Sequence, residues 1–462
     1  MHQRTVLRRK NQESFLIYRS HRMNKQKRFL LTLTLFISLI GAAIAQQVGV
    51  NSPYGRYGYG LLSNQSIGTS ESMGGVSYGI RRGQNINFGN PASYSKADSL
   101  NFTIEMGISG QYSNLSDDVG KQSFKNGNFD YLAFQFLALK NLGVSVGVLP
   151  FSKVGYDFGR DVITDDVSYR ESFSGSGGLS QIYGGVAYSP LEYLSVGVNV
   201  SYLFGSISHT KELPVLGQTN EAFRRQISNT FSVRDMKLDF GAQFTYPINV
   251  NESLTLGVVY NPKIDAKSNI YPVDRLYSQS SEKSLKTDTL YNQSFVIPEK
   301  FGIGLAYKSS NLLMGIDGSF QRWGGSEYPQ FLDSMNVDAR YNDKYSLNMG
   351  VEYVADPVHR NFFKRIRLRG GLSYSNSYIN TNVYDPSNGN NLGASGYKEY
   401  GVNIGFGLPF RDVVSQKISM VNLGFGYSLM EPDQKYMIKE EMFKVSININ
   451  INEFWFFKRQ FD

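Results

Sequence analysis

The chain of 462 residues has no cysteine, which excludes disulfides, thiolate metal sites and thiol nucleophiles together. Tryptophan occurs twice and histidine four times. Past residue 45 only His209 and His359 remain, and each is expected at a strand end or in a turn. No spacing ties them to a nucleophile, although Ser-His-acid triads assemble in space and not in sequence. The reading is a non-enzyme with no cofactor and no metal. Long apolar runs are also missing, except for Phe29 to Ile40, which is shorter than the roughly 20 residues a spanning helix needs.

That one run has its own explanation. Lys25, Lys27 and Arg28 precede it, and Ala43-Ile44-Ala45 follows it as a small-x-small cleavage site. Residues 1–45 are expected to be a secretory signal with an upstream extension, cleaved before Gln46. The signal also accounts for the basic charge. Of 47 basic and 39 acidic residues, nine and one lie before residue 46, leaving 38 of each in the remainder. A neutral mature chain gives no support for a nucleic-acid partner.

Period-two patterning fills the rest. Leu194, Val196, Val198, Val200, Tyr202 and Phe204 alternate with Ser195, Gly197, Asn199 and Ser201. Phe301 to Lys308, Leu312 to Gln321, Tyr400 to Leu408 and Phe443 to Asn452 repeat the pattern. Each strand has one apolar face and one polar or very small face. A soluble sandwich alternates too, but strands at or above roughly 9–11 residues fit a tilted membrane crossing. The breaks alternate as well. Long ones fall at 113–127, 158–177, 210–229, 268–294, 324–342 and 381–396, and short or medium ones between them. The fold class is therefore all-β: a transmembrane antiparallel β-barrel of about 14 strands spanning residues 101–462, in the outer membrane, with both termini periplasmic. The aromatic tail Phe454 to Phe457 suits a membrane interface.

Two loop-like stretches carry no chemistry. "SGSGGLSQIYGG", Ser174 to Gly185, lacks the Lys-Ser/Thr ending of a phosphate loop and is expected to be a loop entering a strand. "DPSNGNN", Asp385 to Asn391, has one acid and is expected to be a turn. A barrel with small inward residues leaves an unfilled lumen. Residues 46–100 precede the first strand and are expected to fold into it as a plug. Met73-Gly74-Gly75 and Asn90-Pro91-Ala92 would be tight turns against the wall.

At these residues the chain resembles the FadL-type family of long-chain fatty-acid transporters. The likeness begins at Met73-Gly74-Gly75-Val76 and Asn90-Pro91-Ala92, and continues through "GVLPFSKVGY", "IPEKFGIGLAY", "GIDGSFQRW" and "RGGLSY". It implies a hatch followed by a barrel, hydrophobic small molecules such as fatty acids as substrates, and lateral exit at a kink in the third strand. Pro150 and Phe151 stand at that place. Pro150 cannot donate a ladder hydrogen bond, so it marks either a bulge or the end of the membrane part of the strand. Arg81 and Arg82 are the nearest hatch cations for a carboxylate, and two adjacent arginines are also common on solvated surfaces. FadL-like barrels also serve as non-transporting subunits of outer-membrane machines, for barrel assembly or type IX secretion. On that reading, Ala355 to Arg367 is a docking turn for other subunits, or a solvated turn near anionic lipid headgroups.

Overall fold

Alternation decides the architecture. The computed structural model describes residues 49–454, except 67, 119, 164–167, 217–221, 278–281, 288–289, 327, 329–338, 386–387 and 412–416. The expected signal, Gln46 and the tail from Trp455 lie outside the described residues. No described helix is long and apolar enough to cross a membrane.

Fourteen strands make the wall. They are β1 Asn101–Ser116, β2 Lys121–Leu139, β3 Leu142–Ile163, β4 Ser168–Leu191, β5 Leu194–Leu216 and β6 Ala222–Pro247. Next come β7, in two runs Ser253–Asn261 and Ile264–Tyr277, and β8, in three runs Glu282–Thr287, Leu290–Ile297 and Lys300–Lys308. The wall continues with β9 Leu312–Gln321, β10 Lys344–Val354, β11 Arg367–Asn376, β12 Tyr397–Arg411, β13 Ile418–Pro432 and β14 Lys439–Phe454. Neighbours pair antiparallel in chain order. The barrel closes where β1 meets β14, from Asn101 opposite Phe454 to Ser116 opposite Lys439.

Near the short turns, such as 140–141 and 309–311, the apolar face points outward. Val196, Val200 and Tyr202 on β5 and Met236, Leu238 and Phe240 on β6 are exposed, while Ser195, Asn199 and Ser201 are buried. This is the pattern of a lipid-facing belt. Further along the same strands the phase reverses. Leu203, Ile207, Phe231, Val233, Ile270 and Phe295 are buried, and Ser206, Ser208, Thr210, Ser228 and Ser232 take the other face. The strands leave the lipid and continue as a barrel with an apolar core, as a protein in water requires.

This reversal corrects the expected long loops. The described positions there, 158–163, 168–177, 210–216 and 222–229, are strand. "SGSGGLSQIYGG" is strand from end to end. His209 is not at a strand end. It is buried within β5, where its Nδ1 lies 2.7 Å from the Tyr156 hydroxyl. His359 does lie in a turn, and its Nδ1 accepts from the Asn361 amide at 2.9 Å.

Among the described residues between Gly49 and Leu100 there are only short 3₁₀ turns, Pro53–Arg56, Glu71–Met73 and Pro91–Lys96, and the two-residue strand Leu61–Leu62. Most of this segment is buried. Its contacts are with inward-facing positions of the wall.

Candidate functional site

Two glycine motifs fix the N-terminal segment to the wall. Gly74 and Gly75 have φ of 68° and 89°, the left-handed region that favours glycine. A Cβ on Gly74 would lie 2.6 Å from the Leu372 carbonyl oxygen. The Met73-Gly74-Gly75 turn therefore lies directly on β10 and β11. Asn90 caps the Pro91–Lys96 turn, its Oδ1 accepting from the Ala92 amide at 3.1 Å. Its Nδ2 donates to the carbonyls of Tyr78 at 2.9 Å and Ala242 at 3.2 Å. A Cβ on Gly241 of β6 would collide with Asn90 Oδ1. Asn90, Pro91 and Ala92 thus dock on β5 and β6, and the Ser195 hydroxyl donates to the Ala92 carbonyl. An apolar route would need this turn to meet β3 at Pro150.

Both hatch arginines are half-buried and already engaged. Arg81 donates to the Ser189 hydroxyl at 2.7 Å and the Ser95 hydroxyl at 3.3 Å. Arg82 pairs with Glu352 of β10 at 2.9 Å. Burial lowers the Arg82 pKa from the ordinary guanidinium value, and the Glu352 charge acts against this.

The wall splits at β3. The β2–β3 ladder runs from Leu139–Leu142 to Leu132–Val148 and ends there. Two residues further on, the β3–β4 register shifts between Pro150 and Ser152. β3 continues to Ile163, so Pro150 does not end the strand. With no N–H, it marks the point where the strand bulges away from β2. Beyond it the N-terminal segment takes the vacated edge. Leu61 and Leu62 pair with Lys153 and Ser152. The Ser63 amide donates to the Phe151 carbonyl at 2.9 Å, and the Ser52 amide to the Gly155 carbonyl at 2.8 Å. On the other side Asn51 Nδ2 donates to Asn126 of β2 at 3.2 Å. Residues 51–63 therefore bridge the split.

Inside, an aromatic core meets a cavity of mixed lining. The core is an aromatic roof in the extended part of the barrel. Tyr59, Phe231, Phe295 and Trp323 are buried, with ring centroids 4.7 Å apart for Phe231–Phe295 and 4.6 Å for Trp323–Tyr378. Phe151 belongs to this core. Next to the roof is a cavity of about 280 Å³ lined by Leu62, Phe88, Leu149, Phe151 and Val259 as well as by Lys237, Asp239, Lys300, Lys344 and Glu399. An apolar ligand would have to displace water from these charged groups.

A family model matches residues 25–462, nearly the whole chain, and its description is BamG. The chain belongs to the BamG family. No curated protein sequence matches it. Solved structures resemble this BamG-family barrel in fold. The P. putida toluene transporter TodX shares 16% identity with a TM-score of 0.57, over 86% of this chain and 100% of that one. A Pseudomonas aeruginosa FadL homologue gives 12% and 0.55, over 85% and 99%. The monoaromatic hydrocarbon channel CymD gives 14% and 0.52, over 86% and 98%. These likenesses show the fold, a closed 14-stranded barrel like that of the FadL homologue.

Sequence reasoning missed the anchors on the wall of this BamG-family barrel. Asp317 of β9 accepts from the Ser77 and Tyr78 amides, the latter at 2.8 Å. Glu105 of β1 accepts from the Ile86 amide at 3.0 Å. Glu352 holds Arg82. The available signal was a carboxylate on the small, polar face of a lipid-facing strand. Such a residue must point into the lumen, where it needs a partner.

Proposed function

We propose that this chain is a closed barrel that serves as a non-transporting subunit of a multi-protein outer-membrane machine, of the barrel-assembly or type IX secretion kind. The observation that carries this is the aromatic roof packed across the extended part of the barrel, over a cavity that holds five charged side chains. Tyr59 from the N-terminal segment and Trp323, just past the end of β9, fill the lumen where a hydrophobic substrate would enter. Membership of the BamG family supports the same reading. Residues 1–45 are taken as the cleaved signal, 46–100 as the plug and 101–462 as the barrel, with both termini in the periplasm. The test is purification from native membranes without crosslinking. A fixed set of outer-membrane subunits at constant stoichiometry is expected. A lone barrel that restores fatty-acid uptake to cells lacking their own fatty-acid barrel overturns the proposal.

A second reading, uptake of hydrophobic small molecules such as long-chain fatty acids, draws on the split beside Pro150 and Phe151. A chain entering there gains about 0.8 kcal/mol per buried CH₂. Its carboxylate would meet Lys300 or Lys344 in the cavity, because Arg81 and Arg82 are already engaged. Uptake by the wild type that is lost in Pro150→Ala, while the barrel still assembles, establishes this reading. Absence of uptake by the wild type removes it.

A further inference from the structure

At the short-turn end, the N-terminal segment and the wall share a second hollow, of about 290 Å³. Its charge is unbalanced. Arg82 and Lys96 come from the N-terminal segment, Lys308 from β8 and Arg367 from β11. Opposite these four cations stand two carboxylates, Asp98 and Glu352.

Glu352 is already saturated. Its Oε1 accepts from Arg367 at 2.7 Å and from Arg82 at 2.9 Å, and its Oε2 from Arg369 at 2.6 Å. A guanidinium has five N–H donors. Arg82 directs two of its own at Glu352, and Arg367 one. The Lys308 ammonium has no hydrogen-bond or ion-pair partner among the described residues. Its alternation with outward Tyr307 and Leu305 points it into the barrel mouth. Positive charge gathered in a concave rim concentrates the field on whatever anion enters. Forked guanidiniums beside an ammonium suit the three oxygens of a phosphate.

The geometry points to a phosphate-binding site at the short-turn mouth, formed by Arg82, Lys308 and Arg367 with Lys96 at its edge, for inorganic phosphate or the phosphate of a lipid headgroup. The site lies outside the lumen cavity and rests on neither functional reading. Because Arg82 belongs to the N-terminal segment, a bound phosphate would share that side chain with Glu352.

The test uses the full barrel in detergent, titrated by calorimetry with inorganic phosphate and separately with short-chain phosphatidic acid. Lys308→Gln and Arg367→Gln are compared with the wild type, and heat-modifiable migration on gels confirms that each is folded. Lys308 is exposed and makes no side-chain bond, so its variant should assemble normally. Saturable binding that weakens about tenfold or more in Lys308→Gln is expected, since a charge-assisted hydrogen bond contributes about 1.5–3 kcal/mol. Tight binding of phosphate alone assigns the site to the free anion. Displacement of phosphate by phosphatidic acid assigns it to a headgroup. No saturable binding of either, or equal binding by the wild type and Lys308→Gln, overturns the proposal.

Discussion

Arg82 and Glu352 bond twice, Nη2 to Oε1 and Nη1 to Oε2, each at 2.9 Å. The pair joins a segment without regular strand structure to β10 of the wall. Arg367 and Arg369 share the same carboxylate. Glutamine at 352 would keep one acceptor and remove the charge that three guanidiniums require. Breaking a buried pair in this way costs about 3–5 kcal/mol. Glu352→Gln should lower the temperature at which the folded band disappears on gels, and should open the 76–88 stretch to protease. Wild-type melting with wild-type protease resistance would show that the ion cluster does not hold the segment.

The Met73-Gly74 turn gives an independent measure of the same docking. Gly74→Ala adds a Cβ at a φ of 68° that would lie 2.6 Å from a backbone oxygen of β11. The turn must shift, at about 1–3 kcal/mol. Gly110→Ala on β1 meets nothing within 4 Å and serves as the neutral control. Equal melting of the two variants would remove the turn from the list of anchors.

The membrane part of the fold was legible in sequence because lipid outside and polar lumen inside impose a strict period of two. Leu194 to Phe204 shows it plainly. Beyond the belt the apolar face turns inward, so Ile207 and Phe231 occupy the phase that Ser201 and Lys237 held lower down. A reading by one fixed phase sees a break there and places a loop. The motif turns at Gly74 and Asn90 were legible because glycine and Asn-Pro have few backbone options. Their partners were not, since Gly241 and Leu372 lie more than 150 residues away in sequence and meet them only in the closed barrel. For the same reason Arg81 and Arg82 read as free cations, while Ser189 and Glu352 hold them.

Conductance separates the two barriers in the lumen. Trp323 is 1% exposed and packs on Tyr341 and Tyr378, so Trp323→Ala should destabilise by about 3–5 kcal/mol. It leaves residues 46–100 in place and should leave planar-bilayer conductance near the wild-type level. Deleting 46–100 removes both Tyr59 and the packing at the short-turn end, and should raise conductance. A high conductance in Trp323→Ala would mean that the roof alone seals the barrel. An unchanged conductance after the deletion would mean that another element does.

The split between β2 and β3 can be locked, and the lock separates the two functional readings. Leu62 and Ser152 are register partners in an antiparallel pair. Such partners have Cα atoms about 4.5–5.5 Å apart, within the range a disulfide spans. The chain has no other cysteine, so a Leu62→Cys, Ser152→Cys double variant can form only the intended intramolecular bond. If hydrophobic molecules pass the wall here, Leu61–Leu62 must leave the β3 edge during transport. Oxidation should then stop uptake, and reduction restore it. If the barrel is a static subunit, oxidised and reduced forms should recover the same set of partners from native membranes and support growth equally. Crosslinking efficiency, read by gel shift, shows that the lock has formed. Redox-dependent uptake in the locked variant would overturn the subunit reading. Full crosslinking without effect on growth or partner recovery would leave the split as a structural seam held closed by residues 51–63.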